Sequence, residues 1–154
     1  MLYFAYGSNM DPRQIRRRCP TARFLSTAVL PDFELAFTLR SRRRRCGVAN
    51  VRPSPGKEVH GILYRINGSR DWEVLDAAEG HVPERRYENR YKKAAVEVLK
   101  QNHPQRIYTV IYLGVIENNP PPPSAAYLRQ MLAGADHWGL PKAYRKSIAD
   151  LLPT

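Results

Sequence analysis

MLYFAYGSNMDP, Met1 to Pro12, carries a strand, a tight loop and a helix start in one short stretch. Met1 to Tyr6 is apolar and aromatic-rich, the composition of a buried strand. Gly7, Ser8 and Asn9 are turn formers. Asp11 then suits a helix N-cap and Pro12 the first helical position. Met10 and Ile15 stand at the two positions of a hydrophobic staple. A strand, a Gly-Ser-Asn loop and a helix N-terminus bring several backbone N–H groups together, an array that favours a phosphate or a carboxylate. The same tripeptide also fits an ordinary strand-to-helix turn.

A second element lies far along the chain, at Asp76-Ala77-Ala78-Glu79-Gly80. It closes a helix expected to start near Ser69 as N-cap, with Asp71 and Glu73 in its first turn. Trp72, Leu75 and Glu79 fall on one stripe, flanked by Val74 and Ala78. Glu73 and Asp76 are expected on the other side. The core-facing side therefore ends in a carboxylate, and Gly80 stands where a C′ glycine stops a helix. Lost water and the negative end of the helix dipole both raise the pKa of such a carboxylate, which suits a general acid/base near neutral pH. A Glu79 that merely caps a frayed helix end fits the spacing as well.

Together these stretches resemble the gamma-glutamylcyclotransferase family. The matching residues are YFAYGSNM (Tyr3 to Met10), GVANVRPSPGKEVHGILYRI (Gly47 to Ile66), LDAAEG (Leu75 to Gly80), PPPPSAAYLRQML (Pro120 to Leu132) and GLPKAYRKSI (Gly139 to Ile148). They run in consistent order over nearly the whole chain. The resemblance implies an α+β fold with a mixed, partly closed β-barrel and flanking helices, and no cofactor. It implies an activity that cyclises a γ-glutamyl group to 5-oxoproline and releases the attached amine. It assigns γ-glutamyl binding to Tyr6, Gly7, Ser8 and Asn9, and catalysis to Glu79. It places Tyr87 and Tyr127 in the pocket wall. The stretch HVPERRYENRY, residues 81–91, is slightly longer than the family pattern ahead of its tyrosine, which bears on the amine-side pocket.

Composition is consistent with one domain spanning residues 1–154, with 43% hydrophobic residues to build a core. No apolar run approaches the ~18 to 20 residues of a membrane span. The chain opens directly in a strand, without a basic n-region or cleavage site, and a cytoplasmic, bacterial-type enzyme is expected. Cys19 and Cys46 lack CxxC spacing and are expected as free thiols. His60, His81, His103 and His137 are scattered, so no metal site is expected. The formal net charge of +11 is high for a small-molecule enzyme. It is concentrated in Arg13, Arg16, Arg17 and Arg18, and again in Arg40 and Arg42 to Arg45. These runs are expected as solvated faces outside both motifs. They also leave open a non-catalytic protein that holds nucleic acid, although no RNP1 or zinc-finger element accompanies them.

Along the chain, Ala22 to Val29 and Phe33 to Leu39 read as separate strands around a Pro31-Asp32 turn. Val48 to Val51 and Val59 to Ile66 read as separate strands around a Pro53–Gly56 turn. Gly61 suggests a close backbone approach to the pocket. Tyr87 to Leu99 and Arg106 to Leu113 form a hairpin. Tyr127 to Leu132 and Lys142 to Leu152 read as helices. Strands without regular βαβ alternation argue for α+β. The expected partners are a small γ-glutamyl substrate and, at most, a second copy of the chain, with neither membrane nor nucleic acid. The substrate is a γ-glutamyl amino acid, or alternatively a γ-glutamylamine or γ-glutamyl-tagged metabolite. Backbone N–H groups of Gly7, Ser8 and Asn9 would hold either the substrate carboxylate or a developing oxyanion.

Overall fold

β1 (Leu2–Ala5) is a strand because apolar residues fill it, and Phe4 and Ala5 are fully buried. In the computed structural model, which describes residues 1–81, 89–103 and 105–153, β1 continues into a single 3₁₀ turn at Ser8–Met10. Then follow α1 (Pro12–Arg18), β2 (Arg23–Ser41), β3 (Cys46–Arg65) and α2 (Ser69–Ala78). β4 (Tyr91–Lys100), β5 (Arg106–Gly114), α3 (Ala125–His137) and α4 (Lys142–Ala149) complete the order.

The strands close into a barrel in the order β1-β3-β2-β4-β5. Four pairings are antiparallel, and β5 meets β1 in parallel at Val110 and Tyr3, so the barrel is mixed. Its core holds Phe4, Ile62, Leu63, Val98 and Ile111, all at most 1% exposed.

The long hairpin departs from the expected short strands. β2 and β3 each run unbroken through the prolines that read as turns. The register shifts between Pro31 and Phe33, so that Asp32 alone faces Ser54 to Lys57. Asp32 takes a φ of 60°, and its Oδ1 accepts the Gly56 N–H at 2.9 Å. The extra residues are absorbed in a bulge, the place a ladder tolerates proline. Gly61 does mark a close approach, but to the neighbouring strand. A Cβ there would lie 2.4 Å from the Ala5 carbonyl oxygen and 2.7 Å from the Phe4 ring.

α3 is longer than the expected Tyr127 to Leu132. Ser124 caps it by accepting the Tyr127 N–H, and its buried face of Leu128, Met131 and Ala135 packs beside Met10. α4 is shorter than expected and ends at Ala149. The proline-rich connector lies along β3, where the Pro122 carbonyl accepts the Gly47 N–H at 2.9 Å. Cys19 and Cys46 are free and buried. Among the described residues no helix is long and apolar enough to cross a membrane.

Candidate active site

α2 delivers Glu79 to the barrel. Gly68, not Ser69, is its N-cap, and no side chain caps it. Asp71 ties the helix to the segment after α1: its Oδ2 accepts the Thr21 N–H at 2.7 Å and the Thr21 hydroxyl at 2.6 Å. Trp72 and Leu75 are buried, as their stripe requires, and Glu79 follows as the C-cap. The flanks differ from expectation. Val74 and Ala78 are exposed. Asp76 faces inward, accepting the Tyr112 hydroxyl and, at 2.7 Å, Lys93 Nζ. At about 100° per residue Asp76 lies only ~40° from Trp72, so it belongs to the buried stripe.

A Schellman motif ends α2. The His81 N–H donates to the Asp76 carbonyl at 2.8 Å and the Gly80 N–H to the Ala77 carbonyl at 3.1 Å. Gly80 has a φ of +63°, a conformation a glycine adopts without the Cβ penalty. This stop fixes where the Glu79 side chain leaves the helix.

The loop after β1 meets that carboxylate. Asn9, 3% exposed, donates from Nδ2 to Glu79 Oε1 at 3.1 Å and to the Tyr3 hydroxyl at 2.9 Å. Its Oδ1 accepts from Gln14 Nε2 at 2.9 Å and from Arg18 Nη1 at 2.8 Å. Ser8 Oγ accepts a second bond from Gln14 Nε2 at 2.7 Å. Tyr6 donates its hydroxyl to the Tyr112 carbonyl at 2.5 Å and so braces the end of β1. The N-terminus of α1 is filled by its own cap, since Asp11 Oδ1 accepts the Arg13 N–H at 2.9 Å. The start of α1 is therefore not a free array of N–H groups for an anion.

Tyr127 stands in the first turn of α3, 4% exposed, and its hydroxyl oxygen accepts the Ala49 N–H at 3.0 Å. Burial pushes its hydroxyl pKa up to about 12. Tyr87 lies outside the described residues. Tyr91, which the sequence reading did not single out, lines the site and donates to the Ala49 carbonyl at 2.8 Å.

The arginine runs also divide differently from expectation. Arg13, Arg16, Arg17, Arg42, Arg43 and Arg45 are exposed, but one member of each run turns inward. Arg18 Nη1 lies 3.5 Å from Glu79 Oε1. Arg44 donates to Gln14 Oε1 at 2.8 Å and lies 4.9 Å from the centre of the Tyr127 ring. Gln14 and Arg18 stand one helical turn apart on α1, a spacing that shows they share a face. Which face meets the site is decided by tertiary packing.

Burial raises the Glu79 pKa above the ordinary carboxylate range, against the opposing pull of Arg18, the Asn9 hydrogen bond and Arg44. Two spaces adjoin the carboxylate. A small inner one of about 30 Å³ is walled by Tyr3, Tyr6, Gly7, Asn9 and Tyr112 among others. An outer cleft of about 230 Å³ is walled by the β2–β3 turn and the end of α2. Ser8, Glu79, Tyr91 and Tyr127 belong to both walls. Among the described residues no group of three or more His, Cys, Asp or Glu side chains is placed to hold a metal ion.

The tightness at Gly7 makes a direct test. A Cβ there would lie 3.2 Å from the Tyr127 hydroxyl and 3.3 Å from the Ala49 Cβ. Gly7→Val is expected to raise KM by about tenfold, or ~1.4 kcal/mol in binding, by displacing a hydroxyl that lines both spaces. Steady-state kinetics beside a thermal melt measure the two effects. An unchanged KM would reduce the loop to a turn.

The chain matches the family model described as gamma-glutamyl cyclotransferase, AIG2-like, over residues 3–129. A bovine gamma-glutamylcyclotransferase is 33% identical, with 99% of this chain and 79% of the relative covered. A human gamma-glutamylcyclotransferase is 32% identical over the same shares. A solved structure titled gamma-glutamyl cyclotransferase superposes with a TM-score of 0.86 at 32% identity, covering 99% of this chain and 88% of that one.

Proposed function

The chain belongs to the gamma-glutamyl cyclotransferase, AIG2-like family, and on that premise we propose that it converts a γ-glutamyl amino acid or amine to 5-oxoproline and a free amine, with Glu79 carrying the proton. The observation that carries this reading is the bond from Asn9 to Glu79. It joins the loop and the carboxylate, distant in sequence, in the wall of the inner space, and Glu79 also faces the outer cleft.

The α-amine of a γ-glutamyl substrate is an ammonium at neutral pH and has no lone pair to donate. Ionised Glu79 takes one of its protons. The amine nitrogen then attacks the γ-carbonyl carbon, and a five-membered ring closes on a tetrahedral intermediate. Glu79 returns the proton to the departing nitrogen and takes the second proton from the ring nitrogen, which still carries two hydrogens. The bond from that carbon to the departing nitrogen then breaks as the carbonyl re-forms, and the released amine takes the second proton from Glu79, leaving it ionised again. Atoms and charge balance with no other reactant.

Because the attack is intramolecular, holding the substrate in its reactive shape supplies a large part of the rate, up to roughly 7–11 kcal/mol in well-oriented systems. The N–H groups of Gly7, Ser8 and Asn9 suit either the α-carboxylate or the oxyanion that forms on the γ-carbonyl. A raised Glu79 pKa brings the base closer to neutrality, where the proton transfers are efficient. Arg18 and the Asn9 hydrogen bond act against that shift and favour the ionised form.

The nucleic-acid reading is not favoured, because the family model and the relatives matched over nearly the whole chain are cyclotransferases. The test is release of 5-oxoproline by the purified chain from a panel of γ-glutamyl amino acids and γ-glutamylamines, with and without a chelator. Turnover of at least one compound, unaffected by the chelator, is expected. No product above the uncatalysed rate across the panel would overturn the reading. Loss of product with the chelator would overturn its metal-independent chemistry.

A further inference from the structure

The outer cleft carries an excess of positive charge that the reaction itself does not use. Arg18, Arg40, Arg42, Arg43, Arg44 and Arg90 line it, and among the described lining residues Glu79 is the only carboxylate. Three of these arginines are committed. Arg18 bonds Asn9 beside Glu79, Arg44 bonds Gln14, and Arg90 pairs with Glu117 at 2.7 Å. Arg40 stands near Glu117, which accepts its backbone N–H at 3.0 Å. Arg42 and Arg43, in the turn between β2 and β3, are exposed and have no ion pair with a described residue. Both line the cleft beside the other four arginines, and this concentration of one sign of charge favours an anionic guest.

The γ-glutamyl half of the substrate does not supply that anion. Its α-carboxylate and α-ammonium cancel, and in the cyclotransferase reading both sit at the reacting end, beside Glu79. Surplus negative charge must come from the departing amine. We propose that the Arg42–Arg43 turn selects γ-glutamyl compounds whose departing amine is acidic, carrying a carboxylate beyond the one an ordinary amino acid has, as in γ-glutamyl-glutamate. This rests on the cyclotransferase reading. Guanidinium groups suit the task, since their planar donors match a carboxylate in two-point contact.

The experiment compares γ-glutamyl-glutamate with γ-glutamyl-glutamine, which have nearly the same shape and differ in one charge. With the purified full chain at low ionic strength, kcat/KM for the acidic dipeptide is expected to be about five- to tenfold higher, the scale of two exposed ion pairs. The preference should shrink on raising salt to about 0.5 M, where charges are screened within a few ångström. In the Arg42→Ser/Arg43→Ser double variant the ratio of the two kcat/KM values should fall to near unity. In Arg42→Glu/Arg43→Glu it should invert. Circular dichroism of each variant checks that the barrel is intact. Equal kcat/KM for the two dipeptides in the parent, or a preference that survives the double substitution, overturns the inference alone. Absence of 5-oxoproline from both dipeptides and from the wider panel overturns the cyclotransferase reading instead.

Discussion

Glu79→Gln is expected to lower kcat by about 100-fold or more, the scale of a lost general acid/base. Glutamine keeps the size of the side chain and a carbonyl oxygen to accept the Asn9 amide, now at 3.1 Å from Oε1. It cannot carry a proton between the two nitrogens. Stability should move the other way. Burial raises the Glu79 pKa in the folded chain above its unfolded value. Below the ordinary carboxylate range, near pH 4, both states hold the proton and Glu79 costs nothing. As pH climbs through the unfolded pKa, the unfolded chain releases its proton first, and the folded chain loses stability until its own raised pKa is passed. The variant escapes that loss. Its melting temperature should match the parent in acid and equal or exceed it at neutral pH. The acidic limb of the parent's kcat/KM profile should lie above the ordinary carboxylate range, because the base must be ionised to accept the proton. A structural cap at this position would show the reverse, with lost stability and near-parental turnover in the folded fraction. Turnover and melting measured on one preparation separate the two, and near-parental turnover in Glu79→Gln would end the proposed proton transfer.

Much of the architecture is local in origin, and that part was legible. The Asp11 cap, the strand character of β1, the glycine stop after Glu79 and the β4–β5 hairpin are all set by neighbouring residues. The misread parts have a common cause. Pro31, Pro53, Pro55 and Gly56 carry turn chemistry, yet β2 and β3 pass through them because the partner strand takes up the extra residues. Whether proline ends a strand depends on what lies opposite. Asp76 shows a different failure, since its acidity suggested solvent while its angular position put it beside Trp72. There Tyr112 and Lys93 satisfy it.

The site was legible to a similar depth. Glu79 and the Tyr6–Asn9 loop stood out by resemblance, and the structure brings them together. Arg18 and Arg44 did not, because nothing within a run of arginines marks the one that turns inward. Asn9 collects Gln14 and Arg18 through its carbonyl oxygen and presents its amide to Glu79. One short side chain thus couples the charge of α1 to the end of α2. That coupling depends on three elements meeting, which no local pattern encodes.

The position of Asn9 depends in turn on α3. Gly134 sits in the last turn of that helix, where alanine ordinarily gains about 1 kcal/mol over glycine in helix propensity. Here a Cβ would lie 2.5 Å from the Met10 carbonyl carbon and 2.7 Å from both the Asp11 nitrogen and the Met10 oxygen. Those are backbone atoms, with no flexible side chain to yield, so either α3 or the loop must move. The move would strain the bond from Trp138 Nε1 to the Met10 carbonyl, now 2.9 Å. Overpacking of this kind costs roughly 1–3 kcal/mol and more where backbone is the obstacle, which exceeds the propensity gain. Gly134→Ala is therefore expected to destabilise by about 2 kcal/mol, lowering the melting temperature by roughly 4–8 °C for a chain of this size. Gly134→Val should be worse, since it adds two methyl groups and recovers little propensity. Because Met10 directly follows Asn9, the displacement reaches the residue that holds Glu79. The alanine variant should lose kcat/KM even in its folded fraction, measured well below its melting temperature. A stabilised Gly134→Ala protein with parental kcat/KM would show that α3 does not set the position of the loop.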